Sequence, residues 1–175
     1  HIVKNMVDHQ KALVVMGNHE YNAIAYAHEV EPGAFLRPHN EMNTKQHRAT
    51  MEQFADYQEE WQDWLKWFYT LPLFLDLGEL RVVHACWDNS CVELIRNDPF
   101  SLETFERHMI RIDREIESHP AMDNIDRGLR RQNHNPLKVL TSGPEQRAPR
   151  PFEANGKIRK QERKRWWMDY KAQPF

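Results

Sequence analysis

The sequence predicts an α/β fold, and three observations lead there. Ala12-Leu13-Val14-Val15-Met16 is a short apolar run with the character of a parallel strand covered on both faces. The later stretch "LPLFLDLGELRVVHACWD" reads as two more strands joined at Gly78-Glu79. Around these runs the apolar positions recur at helical spacing. Two of the strands end in polar groups: Gly17-Asn18-His19-Glu20 after the first, and His84, Trp87 and Asp88 after the last. In α/β sheets, sites are built at the carboxyl ends of strands, so the fold class already directs attention to two places.

The elements follow in order. Ile2, Val3, Met6 and Val7 stand at helical spacing, which predicts a helix at the start of the chain without an N-terminal cap. A parallel strand over 12–16 needs a neighbour, and the residues before it offer none. That predicts a chain that is the middle of a larger domain. "YNAIAYAHE" (Tyr21 to Glu29) is an Ala-rich helix, and "EVEPGAFLRPHN" a loop broken at Pro32-Gly33 and Pro38. One helix is expected from Thr44 to Tyr69. Its stripe of Trp61, Trp64, Leu65 and Phe68 suits core packing better than a base-stacking platform. After Leu73, Phe74 and Leu75 in one strand and Leu80, Val82 and Val83 in the next, helices are expected at 90–97 and 101–118. Leu102, Phe105, Ile112 and Ile116 form part of the inner face of the second. Residues 119–135 are polar and suit a helix-and-loop insertion. "NPLKVLTSGPE" is a short helix running into a Gly-Pro turn, and Asn155-Gly156 turns a hairpin that leads to a charged stretch and the Trp166-Trp167 pair.

Composition limits the function classes. The chain has 175 residues, 40% hydrophobic and 29% charged, a size suited to one domain with a proper core. No apolar run approaches the ~20 residues of a membrane span, and the opening lacks the pattern of a signal peptide. A net charge of -2 predicts no general attraction to nucleic acid or anionic lipid. Cys86 and Cys91 are too few for a disulfide framework and are read as reduced thiols of a cytoplasmic protein.

Asn, His and Glu at one strand end, with a His at another, suit a metal site. Imidazole nitrogen and amide oxygen ligate Mn, Fe or Zn, whereas a serine triad would need a Ser on a sharp turn, and "GNHE" has none.

"GNHE" after an apolar strand resembles the third signature of the calcineurin-like metallophosphoesterases, and "VVHACWD" resembles their later strand-end His. "MVDHQKALVVMGNHEYNAIAY", "FLRPHN", "KVLTSGPE" and the "NGKIRKQERKRWW" run look like the bacterial subgroup labelled serine/threonine protein phosphatase or diadenosine tetraphosphatase-like. The family's D-x-H, G-D-x-x-D-R-G and closing G-H-x-H motifs do not occur. Asp126-Arg127-Gly128 follows the GNHE segment in a polar stretch and is read as chance. The resemblance therefore implies an incomplete domain over 1–175: part of a β-sandwich of mixed sheets flanked by helices, with 44–69 and 101–118 in a cap or insertion near the active-site face.

The implied activity is hydrolysis of a phosphate ester or anhydride by a hydroxide bridging two divalent ions (Mn, Fe or Zn). By resemblance Asn18 and His84 ligate the second metal, while His19 is no ligand but serves the leaving group as an acid. Gly17 and Glu20 support the turn, Glu20 by orienting it or capping the helix start. Arg37 either reaches a substrate phosphate or is a surface residue of a solvated loop. The run Lys157, Arg159, Lys160, Arg163, Lys164, Arg165 either contacts an anionic substrate or is a solvated face. The expected partner is a phosphorylated substrate (phosphoprotein, dinucleoside polyphosphate or nucleotide), with no membrane and with nucleic acid not favoured. The missing motifs predict weak metal binding and no turnover for this chain alone. Two other readings stand beside this one, a non-catalytic binding or assembly module and a nucleic-acid end-processing phosphatase.

Overall fold

The computed structural model describes residues 1–98, 101–154 and 156–168, apart from the side chain of Leu102. The chain is mixed α/β, its described strands paired in three two-stranded sheets. It divides into two compact units, residues 1–82 and residues 83–175. No helix among the described residues is long and apolar enough to cross a membrane.

The first unit opens with helix α1 (Ile2–Asp8), which lacks a side-chain cap as its sequence predicts. Residues 12–16 are a correction: they form no strand. A strand needs a ladder. Met16 N–H donates to the Pro72 carbonyl at 2.8 Å, and the Leu13 side chain, expected to be covered, is 70% exposed. Helix α2 (Asn18–Ala27) follows immediately and buries Tyr21, Ala23, Ile24, Ala25 and Tyr26.

The expected loop at 29–40 holds a small antiparallel hairpin, β1 (Glu29–Glu31) and β2 (Ala34–Phe35). Gly33 has φ +79°, the left-handed conformation this tight reversal requires, and its N–H donates to the Glu29 carboxylate. The single helix expected over 44–69 is two, α3 (Glu41–Gln53) and α4 (Gln58–Tyr69). Across the break at 54–57 the Phe54 ring packs on Trp61, 5.1 Å between centroids. Trp61 and Leu65 then close over the small Ala23 of α2, with Phe54, Trp64 and Phe68 packed around them. Strand β3 (Phe74–Asp76) turns through Gly78, at φ +83°, into β4 (Arg81–Val83), whose last residue opens the second unit.

The second unit is set out by helix caps. Asp88 accepts from Cys91 N–H to start α5 (Asn89–Asn97), and Ser101 from Thr104 N–H to start α6 (Leu102–Glu117). Asp123 caps α7 (Asn124–Asn133), and the buried Asn135 caps α8 (Pro136–Ser142) through Leu137 and Lys138 N–H. Each cap satisfies N–H groups that the helix itself cannot. Phe105, Ile112 and Ile116 are buried as their spacing predicts, while the expected contact of Leu102 lies outside the described residues. Arg130 pairs with Glu115 and Arg131 with Asp113, joining α7 to α6.

Strands β5 (Glu145–Ala154) and β6 (Lys157–Arg163) form the antiparallel hairpin. Ala154 faces Lys157 across a two-residue turn; Gly156 has φ +69°, and Asn155 lies outside the described residues. The register slips between Arg147 and Phe152, the stretch holding Pro149 and Pro151, which cannot donate to a ladder. A 3-10 turn over Trp166–Met168 ends the described chain, with the two tryptophans edge to face.

Candidate functional site

The first turn of α2 forms one wall of a cavity of about 510 Å³. Asn18, His19 and Glu20 line it, and so does Arg37. Gly17 stands at the cap with an extended backbone, and its N–H donates to the Glu20 carboxylate at 3.1 Å, closing the turn. The N–H groups of such a helix start have no acceptor within the helix and carry its positive dipole end. His19 is exposed, while Asn18 and Glu20 are half-buried.

Arg37 is held by an ordered "FLRPHN" segment rather than a loose loop. Its N–H donates to the Ala25 carbonyl at 2.8 Å, and Leu36 N–H donates to the His28 carbonyl. His39 stacks against both Tyr26 and Phe35, 3.9 Å from each ring, and its Nε2 donates to the Tyr26 carbonyl. The Arg37 guanidinium donates to the Gln46 side-chain oxygen and makes no ion pair among the described residues. Burial holds it below its usual value, against Tyr26 and Tyr21, yet an arginine remains a cation throughout the ordinary pH range.

The opposite wall is one the sequence reading did not assemble. Gln46, His47, Thr50 and Gln53 follow one another at helical spacing along α3 and all line the cavity. That spacing is visible in "KQHRATMEQF", but an all-polar helical face looks like an ordinary solvated one. His47 is 6% exposed, and its Nε2 has no hydrogen-bond partner among the described residues. Burial pushes its pKa down, and the neighbouring Arg37 and His39 add to the effect, so the ring is neutral near pH 7. Phe54, Trp61, Trp64 and Phe68 complete the lining with an aromatic side.

His84 belongs to the second unit and is exposed directly after β4. The backbone beside it is fixed: Ala85 N–H donates to the Leu140 carbonyl at 3.0 Å, and the Ala85 carbonyl accepts from Trp166 Nε1 at 3.0 Å. The structure thus brings Asn18, His19, Glu20 and Arg37 together in the first unit and sets His84 in the second.

Family, curated-protein and solved-structure comparisons return no match for this chain. Function therefore rests on the chemistry of the site.

The sequence reading expects a two-metal centre in the complete domain. Such a centre needs a bridging carboxylate and several anionic or imidazole donors, and no group of three His, Cys, Asp or Glu residues stands together among the described residues. Glu20, the carboxylate of the cavity, is engaged with Gly17 N–H. What the cavity does offer is one half-buried cation, a helix start and two histidines, a donor-rich set suited to an oxyanion.

The remaining residues singled out in the sequence have other duties. Asp126 pairs with Arg147, and Arg127 donates to the Met122 and Pro120 carbonyls, so Asp126-Arg127-Gly128 is part of a helix and its bracing. Lys157, Arg159, Lys160, Arg163, Lys164 and Arg165 are all exposed on or just after β6. Cys86 and Cys91 are free thiols. Burial, with Asp88 nearby, pushes Cys86 up to about 12 and Cys91 higher still.

Proposed function

We propose that the chain carries the phosphate-recognition and leaving-group part of a metal-dependent phosphoesterase. The carrying observation is that the α2 start, with Asn18, His19 and Glu20, shares one cavity with the unpaired cation Arg37. A phosphate in that cavity meets a guanidinium fork and backbone N–H donors, both suited to its oxygens. His19, exposed at the rim, serves the leaving oxygen as proton donor. The metallophosphoesterase fold, with Asn18 and His84 as metal ligands, belongs to the same proposal. It is supported by the order of segments: an apolar run, the GNHE turn into α2, and later a strand that ends just before His84.

The donor set favours a second statement about this chain alone: it binds phosphate without hydrolysing it. Electrostatic repulsion between two dications a few ångströms apart is severe without an anion between them. General acid catalysis by itself supplies only ~10²–10⁴-fold, far below what phosphate-ester hydrolysis requires. The test is turnover of an aryl phosphate by the chain with added manganese, beside Asn18→Ala. The expected rate equals that of buffer in both. Turnover abolished by Asn18→Ala would show that the chain assembles a working centre and would overturn the non-catalytic statement.

In a protein where the missing ligand motifs are supplied, His19→Ala should slow basic leaving groups more than activated ones, because an acid helps most where the leaving oxygen holds its proton tightly. An equal loss across the leaving-group series would remove His19 from that role.

A further inference from the structure

The cavity of the first unit has two kinds of lining. Arg37, His47 and the α2 start supply polar lining with one cation, Arg37; Phe54, Trp61, Trp64 and Phe68 supply aromatic lining. His47 is the informative residue. A polar nitrogen that is buried without a partner is costly, and such groups in native proteins call for a reason. Here the imidazole stands 4.6 Å from the Tyr26 ring and 5.8 Å from the Trp61 ring. Both rings are tilted to the imidazole, at 40° and 53°, and beside the cavity its Nε2 is left buried and without a partner among the described residues.

The aromatic lining is also more than core. Trp61 is 5% exposed and packs with Ala23 and Leu65, but Trp64 and Phe68 are only partly buried. Both reach the cavity. The volume of about 510 Å³ is far more than a phosphate group needs, so a phosphate alone would leave the aromatic side wet.

Building on the phosphate reading above, we infer that the ligand of this cavity is an aryl phosphate monoester, its ring seated against Trp64 and Phe68 and its phosphate held by Arg37 and His47. A planar ring gains from apolar burial and from stacked or edge-on contact with the aromatic wall. An aliphatic phosphate of similar size gains only the polar contacts. His47 supplies a hydrogen bond that exists only with ligand bound. This makes it a specificity-determining residue outside the GNHE turn.

The experiment is a ligand-observed proton NMR titration of the whole chain with three probes: phenyl phosphate, glycerol 2-phosphate and phenol. Phenyl phosphate should bind at least about tenfold more tightly than either of the others, the loss that one ring or one charged group brings. Trp64→Leu should bring phenyl phosphate down to glycerol 2-phosphate. His47→Leu should weaken both phosphates by about tenfold, and His47→Gln, which keeps a donor, should recover part of that loss. Equal affinity for phenyl phosphate and glycerol 2-phosphate overturns the aryl seat and leaves the phosphate reading standing. Equal affinity for phenyl phosphate and phenol overturns the phosphate reading itself. Unchanged phosphate binding in a folded His47→Leu protein, shown by an unaltered circular dichroism spectrum, removes His47 from the site.

Discussion

Arg37 in the first unit and Arg147 in the second are both arginines set by short-range structure, but they meet opposite surroundings. Arg147, on β5, reaches two carboxylates of α7, Asp123 and Asp126. Arg37, half-buried, meets the neutral oxygen of Gln46. Arg147 is the commoner case in both units: in the first, Lys4 pairs with Asp8, Arg48 with Glu52 and Lys66 with Asp63. In the second unit Arg107, Arg130 and Arg131 each pair with an acid, and those pairs join its helices. The first unit keeps Arg37, a neutral buried His47 and the start of α2 around a cavity. Charge that is neutralised at home builds structure, while charge left facing a cavity builds a site.

The largest expected effect comes from the one residue that serves both purposes. Trp61→Ala and Phe105→Ala each remove a buried aromatic and should each cost about 3–5 kcal/mol of stability. Only Trp61→Ala should also lose binding of an aromatic phosphate, because Trp61 lines the cavity. Urea unfolding and a binding titration on both variants check this. Equal loss of binding in both would mean the cavity has no separate character.

His47→Leu should act in the opposite direction on stability. An apolar group in place of an unpaired buried nitrogen should stabilise the ligand-free protein by about 1 kcal/mol. The pH dependence has a definite sign. The folded pKa of His47 is lowered, so the unfolded chain binds the proton more readily, and stability falls as pH drops below the unfolded value of about 6.5. The advantage of His47→Leu should therefore widen from about pH 7 to about pH 5. His108 in α6, also buried with a lowered pKa, contributes with the same sign in both proteins. A destabilised His47→Leu would mean that the imidazole is a structural group.

Smallest of all should be the effect of Arg147→Ala, since its pairs are exposed and screened. The side-chain bond to Arg147, with the N–H bond from Asp126, holds the Asp123 carboxyl below the usual range. That contribution is present above the ordinary carboxylate value and disappears as pH falls through the lowered one. The gap between wild type and Arg147→Ala should accordingly be largest near neutrality and shrink on acidification, as thermal unfolding across pH would show. A gap that grew on acidification would contradict the pairing.

Local signals in the sequence were strong where one segment decides its own structure. The helices expected at 90–97 and 101–118 are α5 and α6 nearly residue for residue, and the turns at Gly78 and Gly156 fall where expected, whereas α7 was legible only as part of a polar helix-and-loop insertion. The GNHE turn and Arg37 were legible because polar residues beside apolar runs stand out. What failed needed long-range information. A strand at 12–16 depends on a partner strand, which no local pattern reveals. The break at 54–57 holds neither Gly nor Pro to mark it, and Phe54 meets Trp61 across it. His47 was missed for the same reason: it looks like a surface residue until α2 and α4 close over it.

The central claim is that the cavity of the first unit is a phosphate site centred on Arg37, and one comparison tests it most directly. Phenyl phosphate is titrated against the wild-type chain, Arg37→Ala and Arg147→Ala, and followed by phosphorus NMR of the ligand. Saturable binding by wild type, weakened about tenfold or more by Arg37→Ala and unchanged by Arg147→Ala, is the predicted result. Binding that both variants weaken alike, or that neither does, would mean that the phosphate is drawn by general surface charge, and the account of the cavity would be wrong.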